Sequence, residues 1–158
     1  MAVLVTMVNS QFHILSVVDG KALASYQNNG KLGTSPIFWN FVEEKGQYWQ
    51  PRQPYYGSIF GAICNQWNVC LAVYKNTPVP GTLVIQWEQI QEPGQNWQFF
   101  YNTTYGNNGR FGSYEGYYSY IQNGFGLCLT RTNRQYATVT QEKCNPNSNP
   151  NQIFFSAF

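Results

Sequence analysis

The sequence predicts an all-β fold, and the two observations that predict it are the composition and an internal repeat. Aromatic residues make up 18% of the 158 residues and charged residues only 10%, alongside 14 Gly and 8 Pro. Aromatic side chains favour strands, whereas Gly and Pro favour turns. No segment keeps the spacing of an amphipathic helix. Short strands joined by turns are therefore expected, in one compact domain over residues 1–158.

The repeat consists of a Gln followed two residues later by an aromatic residue, and it occurs at Gln47, Gln95 and Gln152. At a nearly constant distance before each Gln lies a residue that is directly followed by Leu: Ala22, Cys70 and Cys128. Between these two markers, at equal distances before the Gln, lie Trp39, Trp87 and Cys144. This agreement predicts three related units, at about residues 11–53, 58–102 and 117–158.

Each unit contains four short apolar or aromatic segments separated by turns, as in FHIL and PIFWNF of the first unit. Three units of four strands without a helix predict a β-trefoil of three pseudo-repeats, a barrel whose closure removes exposed strand edges. The N-terminal stretch MAVLVTMV is short and lacks a basic flank. It is therefore predicted to be a first strand rather than a signal peptide.

The repeat resembles the Gln-x-Trp signature of the ricin B-type β-trefoil lectins, and the third unit adds a Gly-x-Cys-Leu match at residues 126–129. The resemblance covers nearly the whole chain. It implies a non-catalytic module that binds carbohydrates or cell surfaces. Members of this family also serve as cell-binding subunits of bacterial toxins, such as the cytolethal distending toxins. Glycans, glycosylated receptors and partner toxin subunits are the ligands that it implies.

The resemblance also implies a disulfide between Cys128 and Cys144, where the family joins two strands of one repeat. The second unit has Cys70 at the first of these positions but Trp87 at the other. Cys64 lies across a turn from Cys70, so a hairpin crosslink is geometrically possible, and two free thiols are the alternative. Disulfides favour a secreted or extracellular location.

A galactose site of this family needs an Asp after the Cys-Leu pair, an aromatic ring and an Asn before the Gln. The Asp position holds Ala24, Ala72 and Thr130. The ring position holds Ile37, Ile85 and Glu142, although a shift of two residues would place Trp39 or Trp87 there. The Asn position holds Gly46, Gly94 and Asn151. The standard site is thus absent from the first two units, and the third retains only candidates: Asn151, Gln152, Thr130 and Glu142.

The repeated Gln-x-aromatic pairs themselves are predicted to be structural. Trp49, Trp97 and Phe154 should fill the core, and each Gln should bond to the backbone of a turn, because buried polar groups need partners. Other aromatic residues are candidates for contacts with a ligand. They are Trp67 at a hairpin tip, Trp87, Tyr114 and Tyr117 in the Tyr-rich stretch 101–120, and Tyr55 and Tyr56. Packing of the tyrosines on the barrel is the alternative.

The sequence shows no catalytic constellation. His13 is the only histidine, and the seven acidic residues are dispersed. No nucleophile–base arrangement, phosphate loop or metal-ligand spacing is present, so no cofactor or metal is predicted. The nine basic residues are scattered, which argues against nucleic acid, and no apolar stretch is long enough to span a membrane. The alternative to glycan binding is a protein–protein interaction trefoil, either a toxin-complex assembly subunit or a protease inhibitor.

Overall fold

A computed structural model describes residues 11–52, 61–101 and 109–157. Within these ranges the chain forms β-strands and short 3₁₀ helices, without an α-helix. The predicted strand at MAVLVTMV and the candidate residues Tyr55 and Tyr56 lie outside the described residues.

The described part of the chain contains thirteen strands in chain order. They are β1 His13–Ser16, β2 Ala22–Ala24, β3 Ile37–Trp39, β4 Trp49–Arg52, β5 Ala62–Asn65, β6 Val69–Val73, β7 Val84–Glu88, β8 Trp97–Tyr101, β9 Gly109–Phe111, β10 Tyr114–Asn123, β11 Leu127–Arg131, β12 Val139–Lys143 and β13 Phe154–Ala157. Five 3₁₀ helices lie between them, at Tyr26–Asn28, Lys45–Gln47, Tyr74–Asn76, Pro93–Gln95 and Pro150–Gln152.

The strands close into a barrel with a threefold plan. Strand β13 pairs with β1, β4 with β5, and β8 with β10. The bridges Phe12–Trp49 and Gly61–Trp97 and the β10–β13 pairing complete the ring. The hairpins β2–β3, β6–β7 and β11–β12 lie outside that ring. The protein is therefore a β-trefoil, as the sequence predicts, with the short strand β9 added beside β10.

The core contains the aromatic residues of the repeat. Trp49, Trp97 and Phe154 are 0%, 2% and 0% exposed, which confirms the predicted core role. Each indole N–H also donates a hydrogen bond to a strand carbonyl, from Trp49 to Leu23 at 2.8 Å and from Trp97 to Leu71 at 3.0 Å. The Phe154 side chain has no such donor, so at this position in the third unit the side chain contributes packing alone.

The glutamines of the repeat bond to turn backbone, as predicted. The Gln47 amide N–H donates to the Asn40 carbonyl at 2.7 Å, and its oxygen accepts from the Val42 N–H at 3.0 Å. Gln95 donates to the Glu88 carbonyl at 2.8 Å and accepts from the Ile90 N–H at 2.8 Å. Gln152 has the same role with Lys143 at 2.9 Å and Asn145 at 2.7 Å. Each Gln thereby fixes the turn that follows the outer hairpin.

A second set of buried amides joins neighbouring units. Gln86 accepts a bond from Asn65 at 3.2 Å and donates to the Thr34 hydroxyl of the preceding unit at 2.9 Å. In the same way, Gln141 accepts from Asn123 at 2.7 Å and donates to the Thr77 carbonyl at 2.7 Å. The corresponding residue of the first unit is Phe38, which stacks on Phe154 with ring centroids 5.8 Å apart. Two unit interfaces are thus polar and the third is aromatic.

Both predicted crosslinks are present. Cys128 bonds to Cys144 and Cys64 bonds to Cys70, and none of the described cysteines is free. The alternative of two free thiols at Cys64 and Cys70 is therefore wrong. The second bridge closes the β5–β6 hairpin at a directly paired position, so the register of that hairpin is fixed covalently.

His13 is buried among aromatic residues of the fold. Its ring is 5% exposed and lies between Phe41 and Tyr48, with centroid separations of 4.5 and 4.3 Å. Nδ1 lies 2.9 Å from the Gln47 carbonyl oxygen. Burial lowers the pKa of His13 below its ordinary value, and this effect outweighs the hydrogen bond and the negative charge of Glu43, which both raise it.

Replacing Gln95 by Ala should destabilise the fold. The change leaves the Ile90 N–H and the Glu88 carbonyl without their partner, at a cost of about 2 kcal/mol or more in the free energy of unfolding. Urea denaturation measures this loss. Gln91→Ala, at an exposed position four residues earlier, is the matched control and should change stability little. Equal losses for both variants would contradict the role given to Gln95.

Stability should fall as the pH is lowered below about 6.5, the ordinary pKa of His. Because the folded-state pKa is lower, the unfolded chain takes up the proton first, and the loss grows until the pH reaches the folded pKa. Thermal melting between pH 7.5 and 5 measures the slope. His13→Asn should melt at a lower temperature but with a flatter pH dependence. An unchanged slope in that variant would rule out His13 as its source.

Candidate functional site

The outer ends of the three hairpins carry equivalent residues. Trp39 pairs with Ala22, Trp87 with Cys70, and Glu142 with Cys128. Each is followed directly by the residue whose carbonyl the repeat Gln binds. Counting back from Gln152 by the distance found in the first two units matches Cys144, and not Glu142, with Trp39 and Trp87. That match is wrong, because the loop before Gln152 is longer than the loops before Gln47 and Gln95. The structure therefore supports the alignment that is shifted by two residues, in which Trp39 and Trp87 occupy the ring position and Glu142 is their equivalent in the third unit.

A loop from the neighbouring unit faces each hairpin. Backbone N–H groups of the third strands donate to this loop, from Phe38 to Ala137 at 3.0 Å, from Gln86 to Thr34 at 2.8 Å, and from Gln141 to Thr82 at 2.9 Å. The residue just before the acceptor is Tyr136, Gly33 or Gly81 respectively. At this matched position two of the clefts therefore have Gly and one has Tyr.

Tyr136 has a backbone conformation that favours glycine. Its φ is 65°, and Gly33 and Gly81 have φ of 84° and 86° at the matched positions. A bulky residue with positive φ is uncommon and costs about 1–3 kcal/mol. The Tyr136 ring is also 48% exposed, so it recovers little of this cost through burial. A strained residue that presents its ring to solvent is typical of a binding site.

Tyr136 forms one wall of a cleft of about 380 Å³, and Trp39 lines it from the hairpin. Trp39 is 47% exposed, and the Tyr26 ring lies 5.9 Å from that of Tyr136 between centroids. Ala24 and Ile37 are the small and apolar residues beneath these rings. We call this site the aromatic cleft. It lies between the first and third units.

The edge of the aromatic cleft is polar. Gln27, Asn28 and Glu44 line it. The Asn28 oxygen accepts from the Gly46 N–H at 2.6 Å, which orients the amide and leaves its NH₂ group toward other partners. No basic residue is among the described lining residues. The cleft thus combines apolar rings with a few hydrogen-bonding groups, the usual composition of a small-molecule site.

The second cleft is a reduced version of the first. Trp87 is 37% exposed, and Tyr74, which matches Tyr26, is 50% exposed. Gly33 lies opposite Trp87, and a Cβ atom added to this glycine would lie 3.9 Å from the indole ring. The ring that Tyr136 supplies in the first cleft is therefore missing here.

The third cleft holds the candidates that the sequence places in the third unit. Thr130 and Gln152 are buried, and the Gln152 amide donates to the Thr130 hydroxyl at 3.1 Å. That hydroxyl in turn donates to the Cys128 carbonyl at 2.9 Å. Glu142 accepts from Thr140 at 2.7 Å. Asn151 is half-buried, and its side-chain oxygen is buried without a hydrogen-bond partner among the described residues. Of these four side chains, only Gln152 and Thr130 bond to each other, and Glu142 bonds to the neighbouring Thr140.

The remaining aromatic candidates lie apart from the clefts. Tyr114 is half-buried, with its hydroxyl donating to Glu43 at 3.1 Å, and Tyr117 lies 5.7 Å from Tyr101 between ring centroids. Trp67 is half-buried and packs on Gly30. Although Trp67 lies at a hairpin tip, it is only partly exposed, because the turn that contains Gly30 covers one side of the indole.

The structure adds Tyr136 and Tyr26 to the candidates. For Tyr136 the signal in the sequence is spacing, since Gly33, Gly81 and Tyr136 lie at the same distance before Trp39, Trp87 and Glu142 respectively. Each of these three residues lines the cleft of the next unit, not that of its own. Among the described residues, no group of three or more His, Cys, Asp or Glu could hold a metal ion. Likewise, the described ranges contain no helix long and apolar enough to cross a membrane.

No protein-family model matches the sequence, and no curated protein matches it either. Solved structures do match. The designed threefold-symmetric protein ThreeFoil superposes with a TM-score of 0.75 at 18% identity, over 94% of this chain and 98% of that chain. A Macrolepiota procera ricin B-like lectin in complex with lactose has a TM-score of 0.69 at 15% identity, over 93% and 94%.

The cytolethal distending toxin from Actinobacillus actinomycetemcomitans also matches, with a TM-score of 0.69 at 14% identity, over 96% of this chain and 93% of that chain. Several other matching chains are longer, and this chain spans only 17% to 48% of them. At these identities the likeness shows the fold alone: the chain is similar in structure to ricin B-like lectins and to toxin subunits, and it is a β-trefoil.

Proposed function

We propose that the protein is a non-catalytic carbohydrate-binding module and that the aromatic cleft holds a neutral sugar. The observation that carries this proposal is Tyr136, an exposed ring on a strained backbone opposite Trp39. Folding alone favours Gly at that position, as the two matched positions have. Contact between the Tyr136 ring and a ligand would explain why Tyr is present at this strained position.

The chemistry of the cleft suits a pyranose. The C–H face of a sugar ring is apolar and packs on aromatic rings, while the hydroxyl groups take hydrogen bonds from amides and carboxylates. Trp39 and Tyr136 supply the rings, and Gln27, Asn28 and Glu44 supply polar groups. The lack of a basic residue among the described lining favours a neutral sugar over an acidic one. The family's Asp is replaced by Ala24, so Glu44 is the carboxylate for hydroxyl recognition here.

The biological setting proposed is attachment to glycans or glycosylated receptors outside the cell. Two disulfides are consistent with an oxidising compartment. Structural likeness to a lactose-bound lectin and to a cytolethal distending toxin supports a role as a lectin or as the cell-binding subunit of a toxin. In the second case, a toxin subunit would be the partner. The Gln-x-Trp pairs serve the fold in this proposal and do not touch the sugar.

Trp39→Ala should weaken glycan binding about tenfold or more, because it removes the larger of the two facing rings. A glycan array identifies the ligand, and calorimetry with that glycan measures the affinity. Trp87→Ala is the matched control, since it removes the equivalent Trp from a cleft that has Gly33 on its other side, and it should retain most of the binding. If the folded protein bound no glycan on the array but formed a tight complex with a toxin subunit or a protease, the interaction-trefoil alternative would replace this proposal.

Tyr136→Gly should separate binding from stability. Gly relieves the strain at φ 65°, so the free energy of unfolding should stay the same or rise by up to about 1 kcal/mol, while glycan affinity falls. Tyr136→Ala is the matched variant, because it also removes the ring but retains the strain. It should bind as weakly as the Gly variant and unfold more easily. Full affinity in both variants would show that the ring makes no contact with the sugar.

A further inference from the structure

A second concave site lies between strand β4 and the β5–β6 hairpin. It has a volume of about 320 Å³ and shares no lining residue with the aromatic cleft. Its lining includes two cations, Lys45 and Arg52, and the polar side chains of Tyr48, Gln11, Gln50 and Gln66. We call it the basic cleft. The proposed neutral-sugar site does not use any of these residues.

The described lining of the basic cleft carries positive charge and no negative charge. None of its described lining residues is acidic, and neither cation forms an ion pair with a described carboxylate. Lys45 Nζ lies 4.9 Å from the centroid of the Trp67 ring, in a cation–π contact. Two of the nine basic residues of the chain thus line one cleft whose described lining contains no acid, which gives a local site of positive potential.

Arg52 has donors that are not used by the fold. Its Nη2 donates to the Asn68 side-chain oxygen at 2.6 Å, which anchors the guanidinium against the hairpin turn. Its Nε is buried and has no hydrogen-bond partner among the described residues. A buried donor without an acceptor costs about 1–3 kcal/mol, and an anionic oxygen satisfies such a donor with a charge-assisted bond.

The amides around these cations point to a hydroxylated ligand. The Gln66 amide N–H donates to the Gln11 side-chain oxygen at 3.3 Å, so the Gln66 oxygen and the Gln11 NH₂ are left for other partners. The Gln50 side chain forms no hydrogen bond within the described residues, and Gln11 and Gln66 are exposed. Amide groups both donate and accept, as recognition of sugar hydroxyls requires. The cations can bind one acidic group of a ligand, and the amides can bind several hydroxyl groups. An acidic monosaccharide carries both kinds of group.

We propose that the basic cleft is a second, independent saccharide site that binds an acidic sugar, with the carboxylate or sulfate group on Arg52 and Lys45. The amides of Gln11, Gln50 and Gln66 bind its hydroxyls. A glycan that reached both clefts would then present a neutral residue to the aromatic cleft and an acidic residue to the basic cleft.

The test is calorimetric titration of the full chain with glucuronate, with glucose as the neutral counterpart and with inorganic sulfate as the bare anion, at constant ionic strength. We expect glucuronate to bind, glucose to bind at least about tenfold more weakly at this site, and the affinity for glucuronate to fall with added NaCl. Arg52→Gln should weaken glucuronate binding about tenfold or more, and so should Lys45→Gln, which breaks no hydrogen bond of the fold.

Lys75→Gln is the matched control, because Lys75 also lies over an aromatic ring, at 5.4 Å from the centroid of Tyr74, but outside the basic cleft. It should bind glucuronate like the unaltered protein. Sulfate binding as tightly as glucuronate would overturn the sugar part of the proposal and leave a simple anion site. No binding of glucuronate, or equal losses in all three variants, would overturn it completely. Trp39→Ala should leave glucuronate binding intact, so failure here is distinct from failure of the neutral-sugar proposal.

Discussion

One buried glutamine in each unit determines where the outer end of the third strand lies, and the clefts depend on this. The amide of Gln47 holds the Asn40 carbonyl at 2.7 Å, directly after Trp39, and Gln95 holds the carbonyl of Glu88, directly after Trp87. Both glutamines are almost fully buried, so these bonds are shielded from water. The Gln of the repeat motif therefore positions Trp39 or Trp87, which lie outside the motif. Its glutamine serves the fold, and the tryptophan beside it serves the core.

The threefold plan makes the differences between units informative. At the position facing the third strand, two units have Gly with positive φ and one has Tyr136 in the same conformation. At the end of the third strand, two units have Trp and one has Glu142. Only the interface between the first and third units combines Trp39 with Tyr136, which is why one cleft of the described three is a better candidate for a sugar than the others.

Much of the fold could be predicted from the sequence, because strand period, turn residues and repeat spacing are local signals. The buried roles of Trp49 and Trp97 followed from that spacing, and so did the place of the Cys128–Cys144 bridge once the family pattern was applied. The register of the third unit could not be obtained by counting from Gln152, because a longer loop intervenes. The spacing aligns Tyr136 with Gly33 and Gly81 only once the register of the third unit is known, and the positive φ that makes Tyr136 significant is not readable from the sequence. The cover that Gly30 gives to one side of Trp67 could not be predicted, because this contact joins residues distant in the chain.

The proposed function requires a sugar to lie between Trp39 and Tyr136. The most direct measurement is a crystal structure of the protein with the glycan that binds best on an array. We expect a pyranose ring in the aromatic cleft, with its apolar face on one or both rings and its hydroxyls within hydrogen-bond distance of Gln27, Asn28 or Glu44. A glycan bound at Trp87 or at Glu142, with the aromatic cleft empty, would contradict it.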